Sequence, residues 1–212
     1  MKTQNIILVA LVALCACLLP SLTQAQTEKV WSFGPEAGLT ISKYGNDGAS
    51  SVSKPGVAVG GFLTYSIINT FGITTKLLYY ERGAEFTSMN TKQTLQYIEV
   101  PMIGRFFLNR EGNVRPNIFF GPSFSFLTGA KNKVGGDVEK LDNFKNNFNT
   151  FDFGLTGGMG VSFRIRNETY FVLDGRYTHG ISDISKGNED INNKSFAVSA
   201  GLQFGIGDPR KY

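Results

Sequence analysis

Residues 196–206 constrain this chain more than any other segment, because their alternation is the reverse of that in a soluble strand. Phe196, Val198, Ala200, Leu202, Phe204 and Ile206 share one parity, and Ala197, Ser199, Gly201, Gln203 and Gly205 share the other. Successive strand residues point to opposite faces, so one face is bulky and apolar while the other is small or polar. In a sheet closed on itself the interior has little room, and the small set must turn inward. The bulky set then faces outward, which is stable where the solvent is hydrocarbon. The segment reads as one stave of a transmembrane barrel.

Seven further segments alternate with the same period of two, at 31–42, 55–67, 71–82, 94–108, 115–128, 149–166 and 168–178. Their apolar parities include Phe33, Leu39 and Ile41; Val57, Val59 and Leu63; Ile73 and Leu77; Met102 and Phe106; Ile118, Phe120 and Phe124; Phe151, Met159 and Phe163; Phe171 and Leu173. None of these positions is charged, although 18% of the chain is. Connections alternate in length. Residues 43–54, 83–93, 129–148 and 179–193 are long and polar, whereas 68–70, 109–114 and 167 are short. Outer-membrane barrels combine short periplasmic turns with long external loops. The expected fold is therefore all-β: an eight-stranded antiparallel up-and-down transmembrane β-barrel with both termini periplasmic. The 129–148 stretch, with charges of both signs, is expected to be a solvated loop.

The chain's beginning agrees with export. Lys2 precedes an apolar run from 6 to 19, Pro20 follows, and Thr23, Gln24 and Ala25 supply small residues for a peptidase. Residues 1–25 read as a cleaved signal peptide and 26–212 as the barrel domain. The run is short for a membrane-spanning helix; the alternatives are an uncleaved anchor or a lipid-acceptor Cys17. Cys15 and Cys17 are the chain's two cysteines, so the exported part has no thiol chemistry and no disulfide framework. A net charge of +4 is too mild to imply nucleic acid.

Aromatic residues lie where a headgroup-level girdle belongs: Trp31, Tyr65 and Phe71 at the predicted periplasmic rim, and Tyr79, Phe126 and Tyr177 toward the external one. The inward parity collects the strand charges. Glu36, Glu99, Asp152 and Asp174 face Lys76, Arg105, Arg164 and Arg176. An eight-stranded barrel is just wide enough to be filled by side chains, and charges there need partners. A balanced set predicts a plugged core in place of a conducting pore, whose lumen would favour one sign or water. Inward glycines, among them Gly34, Gly38, Gly60, Gly154, Gly158 and Gly160, make room for the long side chains.

Signals for catalysis are thin. His179 is the sole histidine, at the edge of a loop with Ser182 and Asp183 nearby. A rim serine would need such a base, but spacing alone does not assemble one. No Walker loop, HExxH or dinucleotide fingerprint is present, and no cofactor or metal is expected.

Residues 97–102 (Tyr-Ile-Glu-Val-Pro-Met) resemble the Tyr-Ile/Leu-Glu-Ile/Val-Pro signature of PorT-like outer-membrane barrels of Bacteroidota. The glycine-rich run 153–160 and the segment from Asp174 through Arg176 and Tyr177 to Ile184 resemble that family's later strands. The resemblance covers essentially the whole exported chain. It implies a bacterial outer-membrane barrel, with assistance to protein secretion as one role the family contains. Ser199, Gly201, Phe204 and Ile206 further resemble the signal read by the barrel-assembly machinery, although the chain runs on through Asp208 to Tyr212. The expected partners are outer-membrane lipid, that machinery, and secretion or envelope proteins. A non-enzymatic barrel acting through its loops or rim is the first reading. A small porin, a lipid-modifying enzyme and a soluble lipocalin-type barrel are the alternatives.

Overall fold

The computed structural model describes residues 30–45, 51–86, 91–134, 137–140, 148–184 and 192–206. The signal peptide expected at 1–25, with Cys15 and Cys17, lies outside the described residues, as does the tail from 207 to 212. The strands are β1 (Val30–Gly45), β2 (Ser51–Ile68), β3 (Phe71–Phe86), β4 (Thr91–Phe107), β5 (Val114–Val134), β6 (Asp137–Lys140), β7 (Phe151–Arg166), β8 (Thr169–Gly180) and β9 (Asn192–Ile206). Every pairing is antiparallel. The order β4-β3-β2-β1-β9-β8-β7-β5, closed by a β4–β5 pairing, makes an eight-staved up-and-down barrel. The small β6 pairs with the far end of β5 alone.

Alternation decides which way the sheet closes. None of the apolar outward positions named from the sequence is buried, and Leu39, Leu77, Phe120 and Met159 are each more than 60% exposed. The opposite parity holds Glu36, Lys76, Glu99, Arg105, Asp152, Asp174 and Arg176, all buried. At one end the strands turn tightly, through 69–70 and 167–168 and the slightly longer 108–113. Asn167 adopts a left-handed φ of 45° in the tightest of these, a conformation its short polar side chain tolerates.

Several strands outrun the sequence expectation at the other end. β3 continues to Phe86, β4 starts at Thr91, and β5 reaches Val134 with β6 beside it. This corrects the reading of 129–148 as wholly loop. At ~3.3 Å per residue the 21 residues of β5 extend about 70 Å, beyond the 9–11 residues a tilted strand needs to cross a bilayer. Above the apolar belt the ladder still satisfies backbone N–H and C=O groups, but outward residues become polar. The apolar alternation that marks a strand stops before the strand does.

Candidate functional site

The lumen contains two ionic layers. In the layer nearer the tight turns, Lys76 Nζ donates to Glu36 Oε2 at 2.6 Å and to Asp174 Oδ2 at 3.1 Å. Arg105 grips the same carboxylate with two donors, at 3.0 Å to Oδ1 and 2.7 Å to Oδ2, and also donates to Asn117 Oδ1. The Arg105 guanidinium lies over the Phe119 ring at 4.8 Å. Two carboxylates thus balance two cations. The cavity left among Glu36, Lys76, Arg105 and Asp174 is about 10 Å3, room for no more than one water.

The second layer is centred on Glu99. Arg82 Nη2 donates to Glu99 Oε2 at 2.5 Å, and Arg82 Nη1 donates to Asp152 Oδ2 at 3.0 Å. Arg176 Nη1 and Ser123 Oγ donate to Glu99 Oε1 at 3.1 and 2.9 Å. Asp152 accepts further bonds from Asn193 Nδ2 and Ser182 Oγ. The guanidinium groups of Arg82 and Arg176 both lie over the ring of Tyr80, at 4.9 and 5.3 Å, and Arg82 also lies over Tyr97. These layers suit burial because each charge has opposite-sign partners and hydrogen bonds.

The sequence reading named eight lumen charges, and the structure buries seven of them, four in the first layer and three in the second. Arg164 is the correction. It has inward parity but stands just before the 167–168 turn, where the lumen opens to water, and it is exposed. Its Nε and Nη2 donate to the Tyr170 hydroxyl. Arg82 takes the place expected for it in the core. Arg82 ends the expected third strand with inward parity, so carrying the alternation to that strand's last residue would have found it.

Above the second layer an apolar cap closes the lumen. Ile184, from the segment after β8, is fully buried with Tyr80, Leu95, Tyr97, Leu127 and Ala130, and Phe148 packs against them. The segment is tied down by Asn149 N–H donating to the Ile184 carbonyl and by Ser182 Oγ on Asp152. No periodic signal marks a single loop isoleucine that folds back into a barrel. At the opposite mouth a polar cavity of about 80 Å3 is lined by Arg110, Arg115, Arg164, Glu168 and Tyr170 among others.

Glycine makes the first layer possible. A Cβ on Gly160 would lie 2.1 Å from Asp174 Oδ1, and one on Gly158 would lie 2.7 Å from the Phe119 ring beneath Arg105.

The rim residues take these places. Trp31 packs on Tyr65, and Phe71 on Phe106, both with ring centroids 4.6 Å apart, near the tight-turn end. Toward the other end, Tyr79 donates to Glu81 and accepts from Gln96, Phe126 meets Phe151, and Tyr177 stacks on His179. His179 is exposed on the outer face whereas Ser182 turns to Asp152, so the histidine and serine of the rim-enzyme alternative are not brought together. In β9, Ser199 is buried opposite Asp174, Gly201 packs against β1, and Phe204 and Ile206 are exposed opposite Phe33 and Trp31.

The family described as outer membrane protein beta-barrel domain matches residues 24–186. No curated protein matches the chain. Among solved structures, Neisserial surface protein A superposes with a TM-score of 0.56 at 16% identity, covering 82% of this chain and 96% of that one. The outer membrane protein OprG from Pseudomonas aeruginosa superposes with a TM-score of 0.51 at 13% identity, covering 86% and 99%. At these identities the likeness is one of fold.

Proposed function

Because this chain belongs to the outer membrane protein beta-barrel domain family, and is therefore a bacterial outer-membrane barrel, we propose that it is a non-enzymatic one. Its lumen is a structural core, and its function lies in the external rim and loops. The roles that fit are envelope structure, adhesion or assistance to protein secretion, the last following from the PorT-like resemblance. Residues 1–25 are removed on export, the barrel domain is 26–212, both termini are periplasmic, and the long connections face outward. Ser199, Gly201, Phe204 and Ile206 present the chain to the barrel-assembly machinery.

One observation carries this reading: the lumen is blocked in series by two charge-balanced layers and an apolar cap. A path for solute would need both layers to separate, exposing charges that are now paired. The purified barrel in a planar bilayer should give no steady unitary current. A reproducible open level would turn the reading to the small porin.

A further inference from the structure

The mouth at the tight-turn end differs from the rest of the barrel surface in its cations. Among the described residues, those outside the two ionic layers are arginines here (Arg110, Arg115, Arg164 and Arg166) and lysines at the opposite end, Lys92, Lys133 and Lys194 among them. Either residue keeps a surface soluble, but only arginine offers a planar fork that grips an oxyanion with two parallel bonds. Three of the four line the cavity of about 80 Å3. One water needs ~10–15 Å3, so the cavity holds a head group of roughly six heavy atoms.

Two of these arginines are held in place by the barrel itself. Arg115 lies over the Phe107 ring at 4.1 Å, and its Nη2 donates to the Asn69 carbonyl. Arg164 lies over the Tyr170 ring at 5.5 Å and donates from Nε and Nη2 to the Tyr170 hydroxyl, at 3.1 and 2.9 Å. A guanidinium has five N–H donors, so it can be anchored on one side and bind a ligand on another. With both bonds arriving at its oxygen, the buried Tyr170 hydroxyl has its own proton left to donate. Ser162 stands on the lumen face, opposite Arg115 and two residues before Arg164. It is 3% exposed, and its Oγ meets no hydrogen-bonding partner among the described residues. A buried hydroxyl of this kind calls for a water or a ligand oxygen.

We infer that this mouth is a binding site for a carboxylate, its oxygens gripped by the Arg115 and Arg164 guanidiniums, with the Tyr170 and Ser162 hydroxyls donating from the lumen side. Charge selects carboxylate over phosphate. Glu111 and Glu168 also line the cavity, so its three arginines exceed its acids by one charge, which a monoanion neutralises and a phosphate dianion overshoots. The carboxylate belongs to a free small acid or to a peptide end, and the chemistry that recognises it is the same. The inference requires the closed barrel, but neither the direction of its insertion nor an insulating lumen.

The test uses the full exported chain in phosphatidylcholine nanodiscs, followed by the amide chemical shifts of Ser162 and Tyr170. N-acetylalanine should move both saturably, whereas its amide, which lacks the charge, should not. This contrast is read on the wild type and stands whether or not any variant folds. Affinity for N-acetylalanine should fall about 100-fold in Arg115→Gln/Arg164→Gln, where two charge-assisted contacts are lost. It should fall about 10-fold in Arg115→Lys/Arg164→Lys, which keeps the charge without the fork. Acetate separates the sources: affinity equal to that of N-acetylalanine assigns a free acid, and weaker binding assigns a peptide end. The absence of a saturable shift, or equal binding of acid and amide, overturns the inference. So does a lysine variant as tight as the wild type, or phosphate bound more tightly than carboxylate. Binding that emerges only in Asp208→Asn would give the mouth to the acidic tail of the chain itself, and overturns it too.

Discussion

Glu99→Gln is the sharpest perturbation of the lumen. The carboxylate is fully buried and receives Arg82, Arg176 and Ser123. The amide keeps the volume and one acceptor oxygen but turns an N–H2 donor toward one of the guanidinium groups. The second layer passes from two cations against two carboxylates to two against one. Breaking a buried pair by removing one partner costs about 3–5 kcal/mol, and the bidentate sharing of Glu99 between two arginines puts this site toward the upper end. Arg176 has Glu99 as its ion-pair partner, so Glu99→Gln/Arg176→Met restores charge balance and replaces the arginine by an unbranched apolar chain. The double variant should be more stable than Glu99→Gln alone, with a coupling of roughly 1–3 kcal/mol between the sites. Urea unfolding of the barrel in phospholipid vesicles measures this directly. The chain's one tryptophan, Trp31, sits exposed on the outer face and reports its transfer from lipid to water by fluorescence. A Glu99→Gln barrel within about 1 kcal/mol of wild type, or a double variant as damaged as the sum of the singles, would refute the interlocked-core argument.

Other outcomes follow from the same geometry. Gly160→Ala puts a methyl 2.1 Å from Asp174 Oδ1 and should destabilise by about 1–3 kcal/mol. Gly175→Ala, whose nearest neighbour would be 3.8 Å away, should stay within about 0.5 kcal/mol in the same urea assay. Truncation after Leu202 removes Phe204 and Ile206 from the β1 seam. Heat-modifiable folded barrel should then disappear from outer-membrane fractions, and normal yield would remove the assembly-signal reading. Ile184→Ala should loosen the cap, seen as faster amide exchange at Tyr97 and Leu127, while the bilayer current stays at zero because both ionic layers remain.

Much of the barrel was legible because lipid imposes a binary rule on every strand. The parity of Phe33, Leu77, Phe120 or Phe204 answers one question, lipid or lumen, and local sequence holds the answer. The Tyr97-Ile98-Glu99-Val100-Pro101 motif shows what that rule leaves out. Its inward members become functional by meeting distant residues: Tyr97 lies under Arg82 and accepts from Asn193, and Glu99 receives Arg82 and Arg176. Arg164 and Arg82 share the inward parity, yet one meets water at a mouth and the other sits at the centre of the core. Parity gives direction without height.

Sequence alone determined the strand period, the number of staves, the lipid-facing set and the near-equality of buried charge, since each is written in residues close along the chain. Tertiary closure decided which charges meet. Tilted, staggered strands carry a hydrogen-bonded row upward as it circles the barrel. The row from Glu36 runs through Gly60, Leu78, Glu99 and Ser125 to Asp152, yet Glu36 pairs with Lys76 in the first layer while Glu99 and Asp152 meet Arg82 in the second. The height of a side chain in the lumen is fixed by the stagger summed over all staves, a property of the closed sheet that no single strand contains.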